Sequence, residues 1–415
     1  MDWDEIPKPL RVLLGAVALV FALLLTVMLW DPGMLGGWRN RVGAAQVAAA
    51  LAEPLDRGEL PVTLDLPDAP GAPAYPEYTI DASAQAHMLG ILRQYKPDHA
   101  AFVALDASSG EVLALVSYTR APSLLGNLAV KAMFPAASVF KIITAAAAVD
   151  REGLDAETLI PYTGSDHTLY RHQVLDSQKG RRQRYATLRE AFAKSINTVF
   201  GKIGMFFLKP LDLEEYARRF LFNRPIPTDL PVEQGRITFS SDNQWSMAEL
   251  ASGYNWLAQM SPVQGAMIAA AIANDGELMA PHLVRILMSD SGEILYQARP
   301  RVVEVTMAPE SAAILRSMMT ETVRAGTSHT AFKGFRRQPA YSELEVGGKT
   351  GSLSSLRPKG KCDWFVGYAI QGQRRIALAA LTINEVYWRV KSSFLARSFF
   401  EHYFRPKERI WVPEE

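Results

Sequence analysis

Cysteine is almost missing from these 415 residues: Cys362 stands alone, so no disulfide can form within the chain. Cysteine usage therefore says nothing about compartment. An excess of either charge is missing too, with 44 Lys and Arg against 43 Asp and Glu and a formal net charge of +1. That balance gives no global argument for a nucleic-acid partner. Seven histidines are present, but none shows metal-ligand spacing. The closest pair, His167 and His172, is joined by no Cys or carboxylate pattern and reads as ordinary surface or core histidine. There is no phosphate-cradling Gly-rich loop and no dinucleotide fingerprint, so no metal and no cofactor is expected. No internal repeats are visible.

What is abundant is apolar surface, at 48% of residues, enough for a sizeable core in one large or two modest domains. One apolar block stands apart. Val12 to Trp30 reads VLLGAVALVFALLLTVMLW without a charge, long enough to cross a bilayer as a helix, with Trp30 at the interface. A cleaved signal peptide is the alternative, but its apolar core would be shorter and followed by a small-x-small site, where this chain has Asp31-Pro32-Gly33. An uncleaved anchor is the reading favoured. Local charge does not orient it, because Lys8 and Arg11 precede the span and Arg39 and Arg41 follow it.

Residues 31–76 read as a spacer: an alanine-rich, helix-forming Arg41–Glu53, then a proline-rich extended linker over Pro61–Pro76. Beyond it the composition becomes globular. Asp81–Tyr95 predicts a helix capped by Asp81. Ala101–Leu105 and Val112–Ser117 predict a hairpin around Ser108-Ser109-Gly110. Asp166–Arg184 is a polar loop with Lys179, Arg181, Arg182 and Arg184 close together. Leu188–Ile203 predicts one helix on the stripe Leu188, Phe192, Ile196, Val199, Ile203. Pro225–Pro231 is a loop. Ser246–Asn274 is helical with a new start at Ser261-Pro262. His282–Met288 with Ile294–Tyr296 forms a small hairpin, and Glu310–Val323 a helix. Leu344–Gly348 leads a strand into Lys349, Asp363–Ile370 and Arg375–Thr382 form a second hairpin around Gln371-Gly372-Gln373, and Ser392–Phe404 is an amphipathic helix. Strands at both ends and helices between them predict one α+β domain whose sheet is closed by its terminal segments.

Chemistry concentrates in three short motifs. In Ser138-Val139-Phe140-Lys141 a serine and a lysine stand three apart at the start of an alanine-rich helix, with Pro135 suited to the entry and Gly153 to the end. Positions i and i+3 share a helix face, so a neutral Lys141 could take the proton of Ser138. The helix dipole there favours a developing oxyanion. Ser-x-x-Lys alone is expected about once by chance in a chain this long. Ser195-Ile196-Asn197 interrupts an apolar stripe, and Ser195 could equally bond back to its own helix. Lys349-Thr350-Gly351-Ser352 sits on a strand, or at an exposed strand end. Ser241-Asp242-Asn243 also fits Ser-x-Asn but lies in the polar, loop-like stretch FSSDNQW.

With those motifs in that order, the chain resembles the penicillin-interacting transpeptidases, of the class B-like kind. YTIDASAQ, AFVALDASSGEVLALVS, FPAASVFKI, AFAKSINTVFGKIG, SPVQGAMIAAAIANDGELMAPHLV, VRAGTSHTAF, VGGKTGS and DWFVGYA stand in family order over residues 77 to 383. The resemblance implies the penicillin-binding transpeptidase fold: an antiparallel sheet flanked by helices, a helical subdomain and one N-terminal transmembrane helix. The implied division is a short cytoplasmic tail at 1–11, an anchor at 12–30, a spacer at 31–76, a transpeptidase domain at 77–406 and a tail at 407–415.

The implied activity is serine D,D-transpeptidation of peptidoglycan stem peptides, with β-lactams as substrate mimics. Ser138 would be the nucleophile and Lys141 its base, helped by the nearby charge of Lys349. Ser195 would relay a proton, and Asn197 would bond the substrate amide. Lys349, Thr350 and Ser352 would receive a carboxylate, and Gly351 would let the strand approach the substrate without a side chain. The N–H groups of Ser138 and Ser352 would form the oxyanion hole. The domain would stand outside the cytoplasmic membrane. Family members carry a separate module ahead of the catalytic domain, for which residues 31–76 are too few; that puts in doubt any partner docking on such a module, a glycan polymerase included, and leaves cell-wall synthesis partners open. The alternatives are a D,D-carboxypeptidase or a β-lactamase using the same acyl-enzyme, or a non-catalytic β-lactam sensor or scaffold.

Overall fold

The computed structural model describes residues 40–66, 72–121, 125–175, 183–238 and 243–406. The apolar run Val12–Trp30, the basic cluster at Lys179, Arg181 and Arg182, and Ser241-Asp242 of the second Ser-x-Asn pattern lie outside them. Among the described residues no helix is long and apolar enough to cross a membrane.

In chain order, helix α1 (Ala44–Asp56) leads to short strand β1 (Leu64–Asp65) and strand β2 (Pro73–Tyr78). Helix α2 (Ala82–Tyr95) starts where Asp81 accepts the N–H of Ala84 at 2.9 Å, and it buries Ala84, Met88 and Leu92 at four-residue intervals. That cap removes one orphan donor of the first turn. Strands β3 (His99–Asp106) and β4 (Val112–Thr119) follow as a hairpin, then the two-residue strand β5 (Phe134–Pro135) and helix α3 (Lys141–Asp150). A helical region comes next. Strands β6 (Leu159–Tyr162) and β7 (Arg184–Thr187) bracket α4 (Arg171–Leu175), and α5 (Leu188–Ala193), α6 (Asn197–Lys202), α7 (Pro210–Arg219) and α8 (Gln244–Ser252) follow. After β8 (Gln259–Met260), helix α9 (Pro262–Ala273) begins at Ser261, as its Ser-Pro start predicts. Strands β9 (Glu277–Met279), β10 (Val284–Ser289), β11 (Ile294–Gln297) and β12 (Val302–Val305) lead to helices α10 (Pro309–Arg324) and α11 (His329–Phe332). Strands β13 (Glu345–Leu356), β14 (Lys359–Gln371) and β15 (Arg374–Asn384) and helix α12 (Ser392–Tyr403) complete the described chain.

The central sheet has the order β13-β14-β15-β3-β4 and is antiparallel throughout. The last strand, β15, pairs with the early strand β3, with Leu381 opposite Ala101. Segments from both ends of the domain thus close one sheet, as expected. Helix α9 is buried on every side and packs on β15, β14 and β3. It can lie that close because it is alanine-rich and because Gly265 faces Ala379 and Val366. On the other face α2 and α12 cover Phe102 and Leu378, with Phe399 of α12 against Phe102. Helices on both faces explain why β3 and β15 are apolar almost without alternation. The result is an α+β fold.

Two expectations change. Within the expected linker Pro61–Pro76, the described segments Leu64–Asp65 and Pro73–Pro76 are strand and do not hang free. Strand β2 pairs with β10, and the order β1-β2-β10-β11 makes a second sheet that absorbs the expected 282–296 hairpin. Proline is tolerated there because β1 pairs only with Pro73 and Ala74, so Pro76 lies where that edge is unpaired. The compact unit accordingly begins at Gly43.

The helix expected over Leu188–Ile203 is two helices. A capping box between Thr187 and Glu190 starts α5. It ends with the N–H of Ser195 bonded to the Phe192 carbonyl and that of Ile196 to the Ala191 carbonyl. That is a Schellman end with Ser195 in the left-handed position at φ 59°. The apolar stripe carries on across the break because Leu188, Phe192, Ile196, Val199 and Ile203 are all buried.

Candidate active site

Ser138 is placed by a turn rather than by a regular helix. Ala137 has φ 50°, and a 3-10 turn over Ala137–Phe140 runs into α3. A left-handed alanine costs roughly 1–2 kcal/mol, so neighbours must hold the turn. The Ala136 N–H bonds the Ala258 carbonyl at 2.8 Å, and buried Trp364 donates its indole N–H to the Pro135 carbonyl at 2.9 Å. Gly253, at φ 68°, lies against the turn from the other side, where a Cβ would stand 1.9 Å from the Ala137 carbonyl oxygen.

Lys141 follows one turn later and is wholly buried. Its Nζ lies 2.9 Å from Ser138 Oγ, 2.7 Å from Asn197 Oδ1 and 2.6 Å from the Ser252 carbonyl oxygen. Burial, followed by the charge of Lys349, holds its pKa well below the ordinary lysine value. A neutral amine has two N–H donors and one lone pair. The two carbonyl-type oxygens are pure acceptors, so they take the two N–H groups and leave the lone pair for the Ser138 hydroxyl.

Asn197 is fixed by its own amide. Its Nδ2 donates to the His167 carbonyl at 2.8 Å, which turns Oδ1 toward Lys141. Its Oδ1 is directed at the lysine. Lys349 on β13 is likewise buried, and burial lowers its pKa to about 7. Its Nζ donates to Ser195 Oγ at 2.9 Å and to the Thr350 carbonyl at 3.0 Å. The left-handed backbone at Ser195 is what presents that hydroxyl to the second lysine.

Along β13, Lys349 and Gly351 are buried, whereas Thr350 is half-buried and Ser352 exposed. The hydroxyl of Thr350 meets that of Thr327. Gly351 lies against the Ser138 turn, where a Cβ would come within 3.1 Å of Val139 Cγ2 and 3.2 Å of its nitrogen. Gly351 thus lets β13 come close to the turn that carries Ser138. Farther along, Trp256 donates its indole N–H to the Ser354 carbonyl at 2.6 Å, tying the loop after α8 to the same strand.

All three motifs thus come together: Ser138 with Lys141 and Asn197, and Lys349 with Ser195. Asn243 of the other Ser-x-Asn pattern instead caps α8, accepting from the Trp245 N–H. Residues to which the sequence reading gave no role in the site are Ser252 and His167, which act through carbonyls, and Gly253, Ala137 and Thr327. A backbone carbonyl leaves no side-chain signature. Gly253 is signalled only as a glycine at a helix end, and Thr327 only as part of the segment VRAGTSHTAF. Among the described residues no group of three His, Cys, Asp or Glu side chains is placed to hold a metal.

A half-buried serine bonded to a buried lysine, beside the edge strand of an antiparallel sheet that carries a second buried lysine, marks out a recognisable class. The chain belongs to the penicillin binding protein transpeptidase domain family, whose profile matches residues 100–400. It is 29% identical over 328 residues to the peptidoglycan D,D-transpeptidase PbpA of Mycobacterium tuberculosis, covering 70% of this chain and 63% of that protein. It is 28% identical over 307 residues to the penicillin-binding protein PbpB of Mycolicibacterium smegmatis, covering 69% and 46%. The chain thus spans less than two thirds of either relative. Among solved structures, penicillin-binding protein A from M. tuberculosis as an imipenem acyl-enzyme complex superposes with a TM-score of 0.64. It shares 25% identity over 81% of each chain.

Proposed function

We propose that this chain is a serine D,D-transpeptidase that cross-links peptidoglycan stem peptides, held at the outer side of the cytoplasmic membrane by the apolar run Val12–Trp30. The observation that carries the reading is the coordination of Lys141 Nζ, with two carbonyl-type acceptors and the Ser138 hydroxyl at 2.9 Å. In that setting Lys141 takes the Ser138 proton as Oγ attacks the penultimate D-alanine carbonyl of a donor stem. The tetrahedral oxyanion is met by the N–H groups of Ser138 and Ser352. The C–N bond then breaks, terminal D-alanine leaves with a proton delivered through Lys141 and Ser195, and the acyl group remains on Ser138. An amine of a second stem attacks the ester, returns its proton along the same route and frees Oγ. The donor carboxylate is held by the hydroxyls of Thr350 and Ser352 in the field of Lys349. β-Lactams acylate Ser138 by the same attack, and their bulky leaving end stays attached.

The supporting relatives are the mycobacterial D,D-transpeptidase and the solved acyl-enzyme. The test is product analysis of the full-length protein in detergent with a D-alanyl-D-alanine donor and an amine acceptor peptide. A cross-linked product that is lost in Ser138→Ala is expected. Hydrolysed donor alone would replace the reading with that of a D,D-carboxypeptidase, and no turnover with normal folding would replace it with that of a scaffold.

A further inference from the structure

The structure joins β13 to the loop after α10 through a side-chain pair of which the proposed mechanism uses only the β13 member. Thr327 and Thr350 share a short hydroxyl–hydroxyl hydrogen bond. The turn that carries Thr327 is held by backbone hydrogen bonds. Its N–H bonds the Ala193 carbonyl at 3.1 Å, and the N–H of Gly326 bonds the Glu321 carbonyl at 3.0 Å. Ser328, buried beside it, donates its hydroxyl to the Thr322 carbonyl at 3.0 Å. At Gly326 a Cβ would stand 2.4 Å from the Ala193 oxygen, so this loop lies hard against the end of α5, two residues before Ser195.

We propose that Thr327 is a positioning residue for carboxylate recognition: it donates its hydroxyl proton to Thr350 Oγ1, so that the Thr350 proton is aimed at the carboxylate of the incoming donor. The argument is one of hydroxyl valence. A threonine hydroxyl has one proton. If Thr350 spends that proton on a carboxylate, it can still accept, and the acceptor site faces Thr327. The two hydroxyls then form a chain in which each bond polarises the next. Because Thr327 is anchored to α5 through its backbone, the same turn sets the carboxylate contact relative to Ser195. The inference rests on the proposed acyl transfer at Ser138.

The experiment compares wild type, Thr327→Val and Thr327→Ser as full-length proteins, with donor peptides that end in a carboxylate or in the corresponding primary amide. Expected is a fall in kcat/KM of about five- to tenfold for Thr327→Val with the carboxylate donor, the scale of one hydrogen bond. It should appear mainly in KM, leave the amide donor unchanged and be restored in Thr327→Ser. The amide donor also serves as the folding control. Equal losses with both donors, or no loss with either, would overturn the inference and leave the acyl-transfer reading standing. Absence of acylation in wild type would overturn both.

Discussion

Asn197 Oδ1 lies 2.7 Å from Lys141 Nζ because its amide nitrogen is held by the His167 carbonyl at 2.8 Å. A neutral acceptor there adds no charge that would hold a proton on the buried lysine, whereas an anion would. Asn197→Asp keeps the size and places a carboxylate beside the amine, which raises the Lys141 pKa. Its proton-accepting form then appears only at higher pH. The acylation rate with a penicillin is expected to fall on the order of a hundredfold at neutral pH and to recover as the pH is raised. An unchanged pH–rate profile would contradict this role for Asn197.

Lys349 is expected to set the opposite limb. Burial puts its pKa at about 7, so the free enzyme loses this cation as pH rises through that value. For donors with a carboxylate, kcat/KM should decline above pH 7, and an amide-capped donor should show no such decline. Stability moves the other way. Folding lowers this pKa from its ordinary value of about 10.4, so between roughly pH 7 and that value the unfolded chain holds a proton that the folded one has released. Stability therefore rises with pH across that window. Melting temperatures of wild type should gain on those of Lys349→Met from pH 7 to 10, and parallel curves would refute the assignment.

Ser195 holds a left-handed backbone at φ 59° where glycine is the usual occupant. Ser195→Gly relieves roughly 1 kcal/mol of backbone strain and removes the hydroxyl that Lys349 bonds at 2.9 Å. Ser195→Ala removes the hydroxyl and keeps the strain. Both should lose transpeptidation, with the glycine variant melting higher than the alanine variant. A glycine variant that melts lower would show that the strain is not there.

Gly253 and Gly351 hold the Ser138 turn from two sides. A Cβ at Gly351 meets Val139 Cγ2 at 3.1 Å, whereas one at Gly253 meets the Ala137 oxygen at 1.9 Å from a left-handed backbone. Gly351→Ala should slow penicillin acylation while the melting temperature stays close to wild type. Gly253→Ala should slow it further and destabilise by more than about 1 kcal/mol. Equal acylation rates in the two variants would argue against their graded contact with the turn.

How far the sequence carried can be judged at particular residues. Asp81 announces its helix, and the apolar runs 363–370 and 375–382 announce two strands, because capping and burial on both faces leave local marks. Ser138, Ser195 and Lys349 could be picked out because their chemistry needs particular side chains in short motifs. The break at Ser195 could not, since burial on all sides let the apolar period run through it unaltered. Nor could the strand at Pro73–Tyr78, whose prolines suggest linker until the short reach of β1 is known. The two carbonyls of Ser252 and His167 that poise Lys141 and Asn197 depend on tertiary placement alone.

The most direct test of acyl transfer at Ser138 is the mass of the full-length protein after exposure to benzylpenicillin, followed by peptide mapping. One penicilloyl adduct on the peptide containing Ser138, absent from Ser138→Ala, is the expected result. A folded wild-type protein that gains no adduct, or carries it on another residue, would contradict it.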